Sequence, residues 1–365
     1  MKGQSQPVSP AAMLTADDIR AWYQDNPLAL GTVDTICPLE ESDSDKWETV
    51  SNVSYLLNEA ANPLSQHASI PVAGREGYQT VMGGMAEFGA GREMDSRDLE
   101  KFEKLKMKLA KTPNAANAQA LIDYYGADLR YVRTAMQAER MYLTYALLSS
   151  ACNIGFVASN SPYMQGITAM QYPVAAYQKD VVTTEWSNSG ALILDDIQSA
   201  IDLFTSKGKM LTKIKINSTW FNYVRKNTQI QKYCATMVQN LFTTQAPPTV
   251  EAINTMMADY FGQDIQFEVI KESITRVSGD GTKVTANPFA NGVAVFTAAT
   301  QVGRFVWNPL YILDPAKEVY ESFFTVGNYM KTDPSYNKIY AKGKGFPVID
   351  TYDSNFYLKI DAVAW

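Results

Sequence analysis

Apolar side chains between about Asn117 and Ser149 recur at spacings of three, four or seven: Leu121, Tyr125, Leu129, Val132, Met136, Leu143 and Leu147. One stripe with a period near 3.6 predicts a single helix of ~30 residues, roughly 45 Å long at 1.5 Å per residue. Glu139 and Arg140 interrupt the stripe. A helix this far above the usual length reads as an architectural beam. Further along, Leu192–Thr205 places Ile193, Ile197, Ile201 and Phe204 on one helical face, with Gly208 just past its end. Lys213–Asn217 reads as a strand, and Ser218 is expected to cap a short helix over Thr219–Lys226. Thr249 is expected to cap another helix, with Ile253, Met256 and Tyr260 inward and Gly262 as its stop. Ile265–Ile270, Gly292–Thr297 and Arg304–Trp307 read as strands. Ile274–Val277 and Lys283–Thr285 flank Gly279-Asp280-Gly281, a hairpin turn signal. Short helices and strands mixed without a long βαβ series predict an α+β fold.

The flanks are patterned differently. Residues 1–68 hold little periodicity, carry the acidic run Glu40-Glu41-Ser42-Asp43-Ser44-Asp45, and are punctuated by Pro27, Pro38 and Pro63. A short helix fits Ala16–Gln24, with Thr15 as cap and Asp17 and Asp18 in its first turn. The rest reads as an arm that orders only across a neighbour. In 69–112, six glycines (Gly74, Gly77, Gly83, Gly84, Gly89 and Gly91) precede a charged stretch from Arg97 to Lys111. Tyr78–Met82 suits one limb of a long hairpin; a floppy surface loop is the plainer alternative. Lys338 to Trp365 is strand-like at Phe346–Ile349 and Phe356–Ile360, and its aromatic last residue suggests a terminus packed in a sheet. No internal repeat or low-complexity segment is visible.

Composition narrows the functions open to the chain. Its 365 residues suit one elaborate domain or two to three small ones, and 46% apolar residues supply a sizeable core. The 21 Tyr, 15 Phe and 6 Trp suit protein interfaces and ordinary cores alike. A net charge of −6 lacks the basic excess with which proteins grip phosphates, so tight DNA binding by the free subunit is not expected. No run of ~18 apolar residues predicts a membrane span, and Met1 to Pro10 has no apolar signal core, so synthesis in the cytoplasm is the simplest expectation. Cys37, Cys152 and Cys234 lie far apart without CxxC spacing, against a disulfide framework or a zinc site.

Candidate chemistry is sparse. The single histidine, His67, sits in a polar stretch and reads as a surface residue more readily than as an acid or base. Lys342-Gly343-Lys344-Gly345 lacks the strand–loop–helix setting and the following Ser/Thr of a phosphate loop. Asp195 and Asp196 fit the first turn of a helix, where they favour its positive end. Asp43 and Asp45 have no partners to complete a cation site. Lys101, Lys104, Lys106 and Lys108 form a basic run that reads as a solvated helix face or as contact with an acidic neighbouring subunit. No catalytic, cofactor-binding or metal-ligating residue is therefore assigned, no cofactor is expected, and the chain is expected not to be an enzyme.

The order of segments resembles the tailed-bacteriophage major capsid proteins of the capsid protein E family, whose fold was first described for phage Hong Kong ninety-seven. Gln119–Leu148, with Arg133, Glu139 and Arg140, resembles the long spine helix. Val181–Ser187 is similar to the strand ending in Trp186 that precedes the next domain. Asp195-Asp196-Ile197, Ile201, Gly208 and Lys215–Asn227 look like its following helix, strand and helix. Asn287-Pro288-Phe289, Gly292–Phe296, Gly303 and Phe346-Pro347-Val348 resemble its late strands. Residues 1–68 and the region 299–335, with Tyr311, Tyr320 and Tyr329, depart from the pattern.

The resemblance implies an N-terminal arm (1–68), an extended loop over the neighbouring subunit (69–112), a peripheral domain with the spine helix (113–190), an axial domain (191–335) and C-terminal strands returning to the peripheral domain (336–365). It implies self-assembly into pentamers and hexamers by ring-closing contacts, with arm and loop exchanged between subunits. The product would be an icosahedral virion shell enclosing double-stranded DNA without sequence-specific binding or membrane contact. A portal, a separate scaffolding protein and a decoration protein are the partners it raises; the short segment before the glycines has no heptad run for a fused scaffold. Covalent Lys–Asn cross-linking finds no matching motif here. Three alternatives differ in class: an encapsulin-like nanocompartment shell, another virion structural protein of the tail or decoration type, and an enzyme with an unrecognised site.

Overall fold

A computed structural model of the chain describes residues 16–26, 31–52, 78–155, 169–238, 247–277, 282–332 and 335–365. The N-terminal third runs α1 (Ala16–Asp25), α2 (Thr32–Ile36), β1 (Leu39–Glu41), β2 (Lys46–Asn52), β3 (Tyr78–Gly84), β4 (Ala86–Met94), α3 (Ser96–Lys111) and α4 (Ala115–Ser149). The middle follows as β5 (Asn153–Gly155), β6 (Ala169–Gln171), β7 (Lys179–Val181), α5 (Ile193–Thr205), β8 (Lys213–Asn217), α6 (Ser218–Lys226), α7 (Thr228–Val238), α8 (Val250–Phe261) and β9 (Gln266–Ile270). The last third is β10 (Ile274–Val277), β11 (Lys283–Ala286), β12 (Val293–Thr297), β13 (Arg304–Trp307), β14 (Glu318–Glu321), β15 (Phe324–Thr332), β16 (Ser335–Val348) and β17 (Phe356–Lys359).

Two sheets and one beam organise these pieces. The first sheet runs β1-β13-β16-β15-β14, with β4 also paired to β16. Its axis is the 14-residue β16, which pairs β4 along one edge and β15 then β13 along the other. α4 lies on this sheet: Leu121, Tyr125, Leu129, Val132 and Met136 pack with Phe323, Val326, Ile339 and Ala341. The second sheet runs β7-β17-β12-β8-β9 and alternates side chains between two cores. Ile214, Ile216, Phe296 and Leu358 face the core built by α5 to α8. Val293, Val295 and Tyr357 face a middle core shared with the C-terminal half of α4 and the Phe346–Val348 end of β16. α4 thus touches both sheets, which is what a 35-residue helix is long enough to do.

The local chemistry explains several boundaries. Asn114 caps α4, its side chain accepting the Asn117 N–H at 2.8 Å. Thr249 caps α8 as the pattern required, and Gly262 ends it in the left-handed region at φ 66°. The cap of α6 is Asn217, whose side chain accepts from the Thr219 N–H, so the predicted cap Ser218 is the first helical residue instead. Tyr260, expected inward, is 40% exposed, because Tyr233 of α7 stacks on its edge at 4.9 Å at the surface.

Residues of the expected arm pack on the chain's own body. Ala16, Ile19, Tyr23, Val33, Ile36, Cys37 and Trp47 are all buried, and β1 pairs in parallel with β13. Amphipathic spacing in α1 and an unused edge on β13 suffice for this without a neighbour. The charged stretch beginning at Arg97 is helical, capped by Asp95, which accepts from Arg97 and Asp98 N–H. Tyr78–Met82 does form a hairpin limb, paired with β2 from within residues 1–68. The strands of 191–335 fall in both sheets, as do those of 336–365: β13 to β15 join β16, while β17 joins β12. Trp186 lies in a turn past β7, fully buried, its indole N–H donating to Asp196 at 2.8 Å. Thr15, His67 and Gly279-Asp280-Gly281 lie outside the described residues.

Candidate functional site

The chemical candidates of the sequence do not converge. Lys342–Gly345 lies inside β16, and a Cβ on Gly343 would meet Met136 Cε at 2.9 Å and the Phe323 carbonyl at 3.0 Å. That glycine is there for close packing under α4, not for a phosphate. Lys344 pairs with Asp45 at 2.9 Å and Lys342 with Glu318 at 3.6 Å. Asp195 and Asp196 open α5, and Asp196 is held up from its ordinary value mainly by desolvation while it accepts the Trp186 indole. The lysine run lies on α3 with Lys101, Lys104 and Lys108 exposed and Lys106 folded over the Phe102 ring. Among the described residues no group of three His, Cys, Asp or Glu is placed to hold a metal ion, and no helix is long and apolar enough to cross a membrane.

The cysteines are enclosed thiols. Burial pushes Cys37 and Cys152 up to about 12, which leaves them protonated and unreactive near neutral pH. Cys152 Sγ lies 3.0 Å from Tyr357 Oη inside the middle core.

What the fold does build is a set of ties and surfaces. Arg140, which interrupts the apolar stripe, is fully buried; it donates to Asp34 at 2.6 Å and to the Cys37 carbonyl at 2.7 Å. Arg133, seven residues earlier on the same face, donates to the Asn26 carbonyl and to Glu321 at 3.1 Å. These two guanidiniums fasten the N-terminal segment to α4 at points where the backbone offers carbonyls. A charge inside an apolar stripe was the available signal, and only its partners were hidden from the sequence. A third buried ion pair, Lys215 with Glu268, joins β8 to β9 on the middle-core face.

Several large apolar groups reach the surface near the first sheet. Val50 and Met82 stand exposed on the β2–β3 ribbon. Tyr311 and Leu313 are 79% and 75% exposed beside an open cleft of about 500 Å³, whose other walls include Phe88, Gly89 and Leu310. Tyr320 and Tyr329 are exposed as well, so the three tyrosines of the departing region all reach the surface. Large apolar side chains left in water in one patch mark contact surfaces.

These elements make an α+β fold of the Hong Kong ninety-seven type: a long helix across one sheet, a two-stranded ribbon packed beside it, and a second sheet under four helices. Solved structures carry the same arrangement. A prophage protein of Escherichia coli CFT073 described as a capsid protein matches with a TM-score of 0.55 at 11% identity, covering 96% of this chain and 100% of that one. A phage-related protein from Bordetella bronchiseptica RB50 matches with a TM-score of 0.54 at 7% identity, covering 96% and 99%. No protein-family model matches the chain, and no curated protein matches its sequence.

Proposed function

We propose that this chain is a shell subunit, the major capsid protein of a tailed bacteriophage, which self-assembles into pentamers and hexamers of an icosahedral head around double-stranded DNA. The observation that carries the reading is likeness over the whole length of both chains to a prophage protein described as a capsid protein. The exposed ribbon supports it. One face of β2 and β3 packs on the middle core through Trp47, while the other shows Val50 and Met82 to solvent, a face that a neighbouring copy would cover. In such a shell the α4 sheet forms the peripheral unit and the sheet under α5 to α8 the axial unit near the five- and six-fold centres. A portal, a separate scaffolding protein and a decoration protein are its partners, and the virion is its location.

The test is negative-stain electron microscopy of the full chain expressed alone and purified by size exclusion. Closed or malformed shells, tubes, or rings of five and six are expected. A uniform monomer or dimer at high concentration, with and without a coexpressed scaffold, would refute the reading. Copurified protein cargo in place of DNA would move it to a nanocompartment shell.

A further inference from the structure

Two surface patches of opposite charge lie far apart on this subunit. On α3, Arg97, Lys101, Lys104, Lys108 and Lys111 are all exposed and follow one another at steps of four, three, four and three. That spacing puts them on one helical face, a stripe about 21 Å long. Lys101 pairs with Asp98 at 3.1 Å, and Glu100 flanks the stripe. Arg97, Lys104, Lys108 and Lys111 have no carboxylate within ion-pair distance among the described residues. From Lys104 to Ile122 the chain holds four lysines and no acid.

The other surface is acidic. Between Glu40 and Glu48 stand five acids and one base, exposed Lys46. In the turn from β1 to β2, Glu40 pairs with Arg304 and Asp45 with Lys344. Glu41, Asp43 and Glu48 are exposed with no cation within ion-pair distance among the described residues.

Two rulers separate the patches. β4 begins at Ala86, paired with Gly345 beside the acidic turn, and ends at Met94, just before α3. Its eight steps span about 26 Å. On α4, Tyr124 bonds Asp98 of α3 while Arg140 bonds Asp34 and the Cys37 carbonyl, sixteen residues or about 24 Å further on. Both lengths exceed the ~8 Å over which exposed charges act at physiological ionic strength. The two surfaces therefore cannot neutralise each other within one chain.

We infer that the α3 basic stripe docks on the acidic β1–β2 turn of a second copy of this chain. The inference rests on the shell reading, since a head-to-tail contact between unlike patches is heterologous and closes rings. A net charge of −6 and the long acidic run favour a copy of this chain over a nucleic acid as the occupant.

The experiment reverses each patch in the full chain: Lys104→Glu with Lys108→Glu and Lys111→Glu, or Glu41→Lys with Asp43→Lys and Glu48→Lys. All six side chains are exposed, and circular dichroism checks the fold. Should a triple reversal not fold, Lys108→Glu and Asp43→Lys carry the same comparison. Sedimentation velocity at low salt is expected to show each variant self-associating at least about tenfold more weakly than the unaltered chain, and an equimolar mixture recovering most of the loss. A mixture no better than either variant overturns the contact. So does a lysine variant that assembles normally but loses copurified nucleic acid, which would assign the stripe to phosphates. Association of the mixture without closed shells from the unaltered chain would uphold the contact while removing the shell reading.

Discussion

At the scale of single residues, enclosure decides both chemistry and tolerance. Cys37 and Cys152 hold their protons up to about 12, whereas an unfolded thiol ionises near 9.0. Burial also raises Tyr23, Tyr125, Tyr172 and Tyr357 above the ordinary phenol value. Groups raised in the folded state contribute stability that is complete below the unfolded value and lost as pH climbs through the folded one. Stability from urea unfolding is therefore expected to fall between pH 8 and pH 10.5, by roughly 1 kcal/mol per thiol at pH 10. A Cys37→Ala, Cys152→Ala chain should lose that part of the slope; an unchanged slope would show that the thiols are not the cause. Gly303 sets a steric limit of another kind. A Cβ there would lie 1.9 Å from the Val348 carbonyl oxygen, where β13 enters the first sheet. Backbone cannot yield as a flexible side chain does, so Gly303→Ala is expected to cost roughly 3 kcal/mol or more in the urea midpoint.

At the scale of elements, α4 was the most legible part of the chain. All seven positions of its predicted stripe are buried, and the strand over Lys213–Asn217 has the predicted bounds. Local periodicity suffices where a residue's neighbours are three or four places away. It fails where the partner is distant: that β4 lies along β16, or β1 along β13, follows from pairings more than two hundred residues apart. The lysine face of α3 was legible as a solvated helix, but its inward Phe102, Leu105 and Leu109 face was not, because glycines before it and charges within it masked that face. The two charged patches were legible only as a lysine run and an acidic run, since nothing local places them far apart. The break in the α4 stripe carried information about tertiary structure. Arg140 is buried against Asp34, so Asp34→Ala strands a guanidinium without its counter-charge, at an expected cost of about 3 kcal/mol in urea unfolding. Asp34→Val with Arg140→Met removes both charges and should cost less than the single change. A double variant less stable than Asp34→Ala would show that the pair itself supplies net stability.

At the scale of the whole molecule, shared elements join three cores. The second sheet shows one face to the core of α5 to α8 and the other to the middle core, and α4 carries the middle core into the third. These shared elements couple the cores, so calorimetry on the dispersed subunit is expected to show one transition; two resolved transitions would mean that the sheets melt separately. The same continuity closes over Cys37, Cys152 and Cys234, whose exposures are 0%, 0% and 7%. Attack on a disulfide, or by an oxidant, needs an accessible thiolate. A folded copy offers neither, while an unfolded one offers all three sulfurs. Passage from reducing to oxidising surroundings therefore leaves the thiols of the folded subunit unchanged and marks them only in the copies that have lost their shape.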